Sequence, residues 1–190
     1  MIIYLHGFRS SPASAKARLL ARHMAERGMA DRFWCEQLPV GPRQAIEAIE
    51  AVLSQSRTVP TLVGSSLGGY YATYLAEKHD LRAALINPAA VAYETLAPFV
   101  GPQTNLYTGE TFEFTSRHLA ELEQLDVPRI ARPEHFWLLV ETGDEVLDYR
   151  QAVRKYAGAR QTVIDGGDHS FRHFSDFLDA IVDFAEQRAP

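Results

Sequence analysis

The stretch Gly64-Ser65-Ser66-Leu67-Gly68 sets a serine between two glycines where an apolar run, Thr61-Leu62-Val63, gives way to a helical pattern. This has the form of a nucleophile elbow, a sharp strand-to-helix turn that lifts a serine hydroxyl clear of a sheet and holds the residue at positive φ. The residues two before and two after the serine must be small, because a side chain at either place would strike the neighbouring strand or helix. Ser66 meets that condition with Gly64 and Gly68. Ser65 has Val63 two positions upstream and is read as an accessory polar or packing residue. The chemistry indicated is nucleophilic attack on an acyl carbon by Ser66.

A serine hydroxyl is a weak nucleophile at neutral pH, so it needs a base to take its proton and an acid to hold that base in the right tautomer. In open parallel sheets such groups gather beyond the carboxyl ends of the strands. His169 lies in a glycine-rich loop, Asp165-Gly166-Gly167-Asp168-His169, between the last strand-like run and the last helical pattern, and is the favoured base. His173, four residues on, would share a helix face with it, but no cysteine and no HExxH pattern accompanies the two as a metal site would require. His23, His79, His118 and His135 are read as structural, and His6 precedes the serine and would leave the His169 loop without a role. Asp144 follows the run Phe136 to Val140 through Glu141, Thr142 and Gly143, which is where the acid belongs. Asp148 is read as the N-cap of the following helix, while Glu141 and Glu145 are expected to be exposed, and Asp168 stands too near His169 in sequence to orient its ring. The oxyanion of a tetrahedral intermediate needs preorganised amides, expected from Leu67 after the nucleophile and from Phe8 after Gly7 in the loop that follows the first strand. Gly7, Asn87 and Tyr93 are the residues expected to border the substrate.

These loops need a scaffold to bring them together, and short apolar runs alternate with helical patterns along most of the chain. Strands are expected near 2–5, 33–37, 60–64, 82–86, 136–141 and 161–164. Such alternation implies an α/β fold, a compact, mostly parallel six-stranded sheet with helices on both faces. Ala45, Ile49, Val52 and Leu53 form one helical apolar stripe, and Phe174, Phe177, Leu178, Ile181 and Phe184 another. The connection from Pro88 to Pro133 is too long for a simple crossover. It is read as carrying a small cap over 89–115, within a segment extending to 128, and a short helix over His118 to Leu125.

At 190 residues and 46% apolar content the chain suits one globular domain. A net charge of −5 offers no basic stripe for phosphates, so nucleic acid is not an expected partner. The apolar start, Met1 to Leu5, is too short for a signal sequence, and no run approaches bilayer-spanning length. The single cysteine, Cys35, has no partner for an internal disulfide. A cytoplasmic protein without membrane insertion is expected, and its oligomeric state is left open.

Leu5 to Ser11, Val63 to Thr73, Asn87-Pro88, Thr142 to Tyr149 and Gly166 to Phe171 together resemble the YqiA-like family of small bacterial esterases over nearly the whole chain. The resemblance implies a compact α/β-hydrolase whose sheet begins at the third strand of the full fold, acting on carboxyl esters, with acyl thioesters as a second class. It matches Ser66 to the nucleophile, Asp144 to the acid and His169 to the base. After Asn87-Pro88 the chain departs from the family pattern, carrying Ala90-Val91-Ala92-Tyr93 where a basic residue and a proline are expected, which bears on substrate preference. A small-molecule ester or thioester is thus the expected partner, with no metal or organic cofactor. A binding protein that keeps the fold without turnover, and acyl transfer to an alcohol or amine, are the alternatives.

Overall fold

The computed structural model describes residues 1–186, so the last four residues of the expected single domain lie outside it. Six strands form one parallel sheet: β1 (Ile2–Leu5), β2 (Phe33–Trp34), β3 (Thr61–Ser65), β4 (Arg82–Ile86), β7 (Phe136–Glu141) and β8 (Arg160–Ile164), in the order β2-β1-β3-β4-β7-β8. The central strands are apolar on both faces because helices cover both. Alternation along the pleat sends Ile3, Leu5, Leu62, Leu85 and Leu138 to one side and Ile2, Tyr4, Val63, Ile86 and Leu139 to the other. On the first side pack α2 (Pro42–Gln55), α3 (Leu67–His79) and α6 (Tyr149–Lys155), and on the second α1 (Ala15–Glu26) and α7 (Leu178–Glu186).

The local signals explain most of these elements. Helix α2 starts with Pro42 in its first turn, where a missing N–H costs nothing, and buries Ala45, Ile46 and Ile49. Asp148 caps α6 by accepting from the Arg150 amide, as its position before the helical pattern indicates. Strand β2 is shorter than the expected run over 33–37. Only Phe33 and Trp34 pair with β1, after which the Leu38 amide donates to His6 Nε2 at 3.1 Å and the chain leaves the sheet. The stripe from Phe174 to Phe184 is split between a 3-10 turn over Arg172–Phe177 and α7, and it buries Phe174, Ile181 and Phe184.

The long connection between β4 and β7 is ordered structure of its own. It holds α4 (Ala92–Thr95), an antiparallel hairpin of β5 (Gly101–Thr104) and β6 (Thr111–Phe114), and α5 (Ser116–Gln124). Its aromatics lack a helical period because Phe112 and Phe114 sit on a strand. Thr115 and His118 close a capping box at the start of α5, which begins two residues before the expected helix. Among the described residues no helix is long and apolar enough to cross a membrane.

Candidate active site

Strand order reverses direction around β1 and β3, and that is where an open α/β sheet opens a crevice at its carboxyl edge. Ser66 stands at that edge, between β3 and α3, with φ 55° and ψ −119°. The glycines around it are required by contact distances. A Cβ on Gly64 would overlap the Gly68 carbonyl, and one on Gly68 would overlap the Leu5 carbonyl. The strained residue is held from both sides, its amide donating to Ile86 O at 3.1 Å and its carbonyl accepting from Ala89 N at 3.1 Å.

His169 and Asp144 arrive from the loops after β8 and β7. The Ser66 hydroxyl lies 3.1 Å from His169 Nε2, and His169 Nδ1 lies 2.9 Å from Asp144 Oδ2. The Asp144 side chain is 1% exposed and the His169 side chain 25%, so the carboxylate is sealed while the imidazole reaches solvent. Asp144 Oδ1 also accepts from the amides of Val146 and Leu147 at 2.9 and 2.8 Å, which fixes the carboxylate before the imidazole meets it. Structure therefore brings Ser66, Asp144 and His169 into one hydrogen-bonded chain across 103 residues of sequence.

The residues that hold the histidine loop differ from expectation. Glu141, expected to be exposed, is 0% exposed and gathers the loop around its carboxylate. Oε2 accepts from Asp168 N at 2.7 Å and Arg172 N at 3.1 Å, and Oε1 accepts from His173 N at 3.1 Å and pairs with His173 Nδ1 at 2.7 Å. Burial acts to raise the pKa of Glu141, but the hydrogen bonds from the His173 side chain and the His173, Asp168 and Arg172 amides outweigh it, and the net shift is downward. A Cβ on Gly167 would overlap that carboxylate, and both Gly166 and Gly167 have positive φ, which explains the glycine pair before the histidine. His173 thus faces Glu141, not His169, and among the described residues no group of three His, Cys, Asp or Glu side chains is placed to hold a metal ion.

Asn87, expected at the substrate, is 2% exposed and serves the same loop. Its Oδ1 accepts from Glu141 N at 3.0 Å, and its Nδ2 donates to the carbonyls of Asp168 at 3.0 Å and His169 at 3.4 Å. Its φ of 39° is a conformation that asparagine tolerates better than most side chains. Tyr93 also departs from expectation. It sits on α4, where burial and the carboxylates of Asp126, Glu94 and Glu123 raise its pKa, and it is not among the residues lining the cavity beside Ser66. Sequence spacing carried no signal for these partners, since Glu141 and Asn87 are 54 residues apart. Lys16 of α1 adds a further tie, donating to Ser170 O at 2.8 Å, and burial brings its pKa down to about 8 against the pull of Asp168, Glu141 and Asp144.

On the other flank of Ser66 runs the loop His6-Gly7-Phe8-Arg9. A Cβ on Gly7 would lie 3.1 Å from the Ser66 Cβ, so the backbone passes directly over the serine. His6 braces this loop: Nδ1 lies 3.0 Å from Gly7 O and Nε2 accepts from Leu38 N, and burial lowers its pKa and keeps the ring neutral. The Phe8 ring meets Phe99, Phe112 and Phe114 edge-on, at centroid distances of 5.9, 5.9 and 4.9 Å. The hairpin clasps the same loop, with Leu106 N donating to Arg9 O at 2.8 Å and Arg9 Nε to Thr104 O at 2.9 Å. Among the described residues, the backbone amides of Phe8 and Leu67 donate to no acceptor. Leu67 is the first residue of α3, where an unpaired N–H is expected.

The model of the uncharacterised protein family UPF0227 matches residues 1–186. The chain belongs to this family. It is the YqiA-like family that the motifs resemble. Solved structures share the fold of this UPF0227 member. A protein of Agrobacterium vitis S4 is 21% identical, with 97% of this chain and 87% of that one covered at a TM-score of 0.74. The mouse α/β hydrolase domain-containing protein 10 is 19% identical, with coverage of 96% and 87% and a TM-score of 0.72. The esterase domain of a Rhodothermus marinus protein is 20% identical, with coverage of 97% and 85% and a TM-score of 0.68. The expected α/β-hydrolase architecture is therefore the architecture of this protein.

Proposed function

We propose that this UPF0227 protein is a serine hydrolase of carboxyl esters, with acyl thioesters open to the same chemistry. The observation that carries this reading is the hydrogen-bonded chain from Asp144 through His169 to a serine held at positive φ beside two unengaged amides. In the mechanism, Ser66 Oγ attacks the carbonyl carbon while His169 Nε2 takes its proton, and Asp144 holds the Nδ1 proton and stabilises the imidazolium that forms. The carbonyl oxygen gains the negative charge and is received by the amides of Phe8 and Leu67. Collapse breaks the bond to the leaving oxygen or sulfur, which takes the proton back from His169 and leaves the acyl group on Ser66. Water then repeats the sequence, losing a proton to His169 as it attacks, and releases the acid. The fold shared with an esterase domain supports this reading.

A fluorophosphonate probe tests the nucleophile and a 4-nitrophenyl ester tests turnover. The wild type is expected to be labelled at Ser66, and Ser66→Ala to lose about a millionfold in kcat, because the members of such a triad act as a unit. Labelling at another residue, or a Ser66→Ala variant of near wild-type activity, would refute the mechanism.

A further inference from the structure

Beside the serine lies a cavity of about 280 Å3 whose wall includes Gly7, Phe8, Leu38, Leu67, Tyr71 and Phe112. Phe8 and Leu67, whose amides are assigned to the oxyanion, line it, whereas Ser66, Asp144 and His169 do not. That asymmetry decides which part of an ester it holds. The leaving oxygen must stay within reach of His169 Nε2 to be protonated. The alcohol side therefore departs toward His169, and the acyl side lies in the cavity.

Three aromatic rings line it: Phe8, Tyr71 and Phe112. Of the tyrosines on this face, Tyr70 donates its hydroxyl to Leu122 O at 2.8 Å, and the Tyr156 hydroxyl pairs with Thr73 Oγ1 at 2.8 Å. The Tyr71 hydroxyl has no hydrogen-bond partner among the described residues, although the residue is only 2% exposed. It is not one of the sealed, unpartnered polar atoms, which are Ser14 Oγ and His23 Nε2, so its small accessible surface includes the hydroxyl. Burial, with the charge of Glu121, raises its pKa and keeps it a neutral phenol able both to donate and to accept. Of the other polar side chains here, His6, Gln37 and Asn105 are already engaged. The Asn105 amide donates to Ser10 O, and its oxygen accepts from the amides of Tyr107 and Thr108.

We propose that this cavity binds the acyl part of the substrate, and that its preferred occupant is a compact aromatic acyl group whose ring hydroxyl pairs with Tyr71. The proposal rests on the ester-hydrolase reading above and specifies its substrate. At about 30 Å3 for each water-sized group, the space takes about nine non-hydrogen atoms. A hydroxyphenyl ring on one methylene fits within that space.

The test compares 4-nitrophenyl phenylacetate with 4-nitrophenyl 4-hydroxyphenylacetate on the wild type and on Tyr71→Phe. The readout is the ratio of the two kcat/KM values, from which any general loss of activity cancels. A net hydrogen bond to a neutral partner is worth about fivefold. The wild type is expected to favour the hydroxylated ester by about that factor, and Tyr71→Phe to bring the ratio to about one. A wild-type ratio at or below one, or an unchanged ratio in Tyr71→Phe, overturns the proposal while Ser66-dependent hydrolysis of either ester keeps the esterase reading intact. Turnover of both esters that persists in Ser66→Ala overturns both.

Discussion

Glu141→Gln keeps the shape of the side chain and removes the acceptor around which the histidine loop is folded. The carboxylate receives the Asp168 and Arg172 amides on Oε2 and the two His173 nitrogens on Oε1. A carboxamide has one acceptor oxygen, so its NH2 must face one of these pairs. The less costly orientation puts the NH2 toward His173, whose ring can move its proton to Nε2 and accept at Nδ1. The His173 amide then has no acceptor, at about 1–3 kcal/mol for an unpaired buried donor, and the other bonds lose their charge assistance. The loss of stability is expected to be about 3 kcal/mol, a large share of the roughly 5–15 kcal/mol of a typical domain. Urea unfolding at pH 7 measures it. The pH dependence supplies a second readout. Because the folded pKa of Glu141 lies below its ordinary 4.5, its contribution is present above that value and lost as pH falls through the lower folded value. The gap between wild type and variant should therefore narrow on acidification below about pH 4.5. Turnover should fall as well, since misplacement of a catalytic group by about 1 Å costs about a hundredfold. Equal stability at pH 7, or a gap that stays constant into acid, would refute the reasoning.

Ser66→Gly and Ser66→Ala both remove the hydroxyl, but only glycine is free of strain at a φ of 55°. Ser66→Gly is expected to be the more stable of the two by about 1 kcal/mol in urea unfolding, and the opposite order would show that the elbow stores no strain. Phe112→Ala removes one of the three rings that hold Phe8 and is expected to lower kcat by about tenfold or more on an acetyl ester, which is too small to depend on the cavity wall. Unchanged turnover would show that the hairpin does not position the Phe8 amide.

Much of this protein was legible from residue types in order. The elbow could be read because its geometry is local: the glycines two before and two after Ser66 are small for contacts made with Leu5 and with one another. The strands could be read because a sheet covered on both faces leaves continuous apolar runs, such as the wholly buried β7. Asp144 and His169 followed from their places at strand ends, where an open α/β sheet gathers its side chains. What sequence spacing does not encode is the set of partners that hold those side chains in place. Glu141 reads as one more carboxylate in a polar loop until β7 and β8 pair and the loop after β8 folds over it. Asn87 reads as a pocket residue until its buried amide meets two carbonyls 81 and 82 residues away. Tyr71 is one of several tyrosines in a helical pattern, and only packing shows that the hydroxyl of Tyr70 is taken by Leu122 O while that of Tyr71 has no partner among the described residues. The chain order determined which residues could do the chemistry, because that depends on local backbone form. The tertiary structure decided what holds them and what cavity lies beside them, because those depend on contacts between segments far apart in the chain.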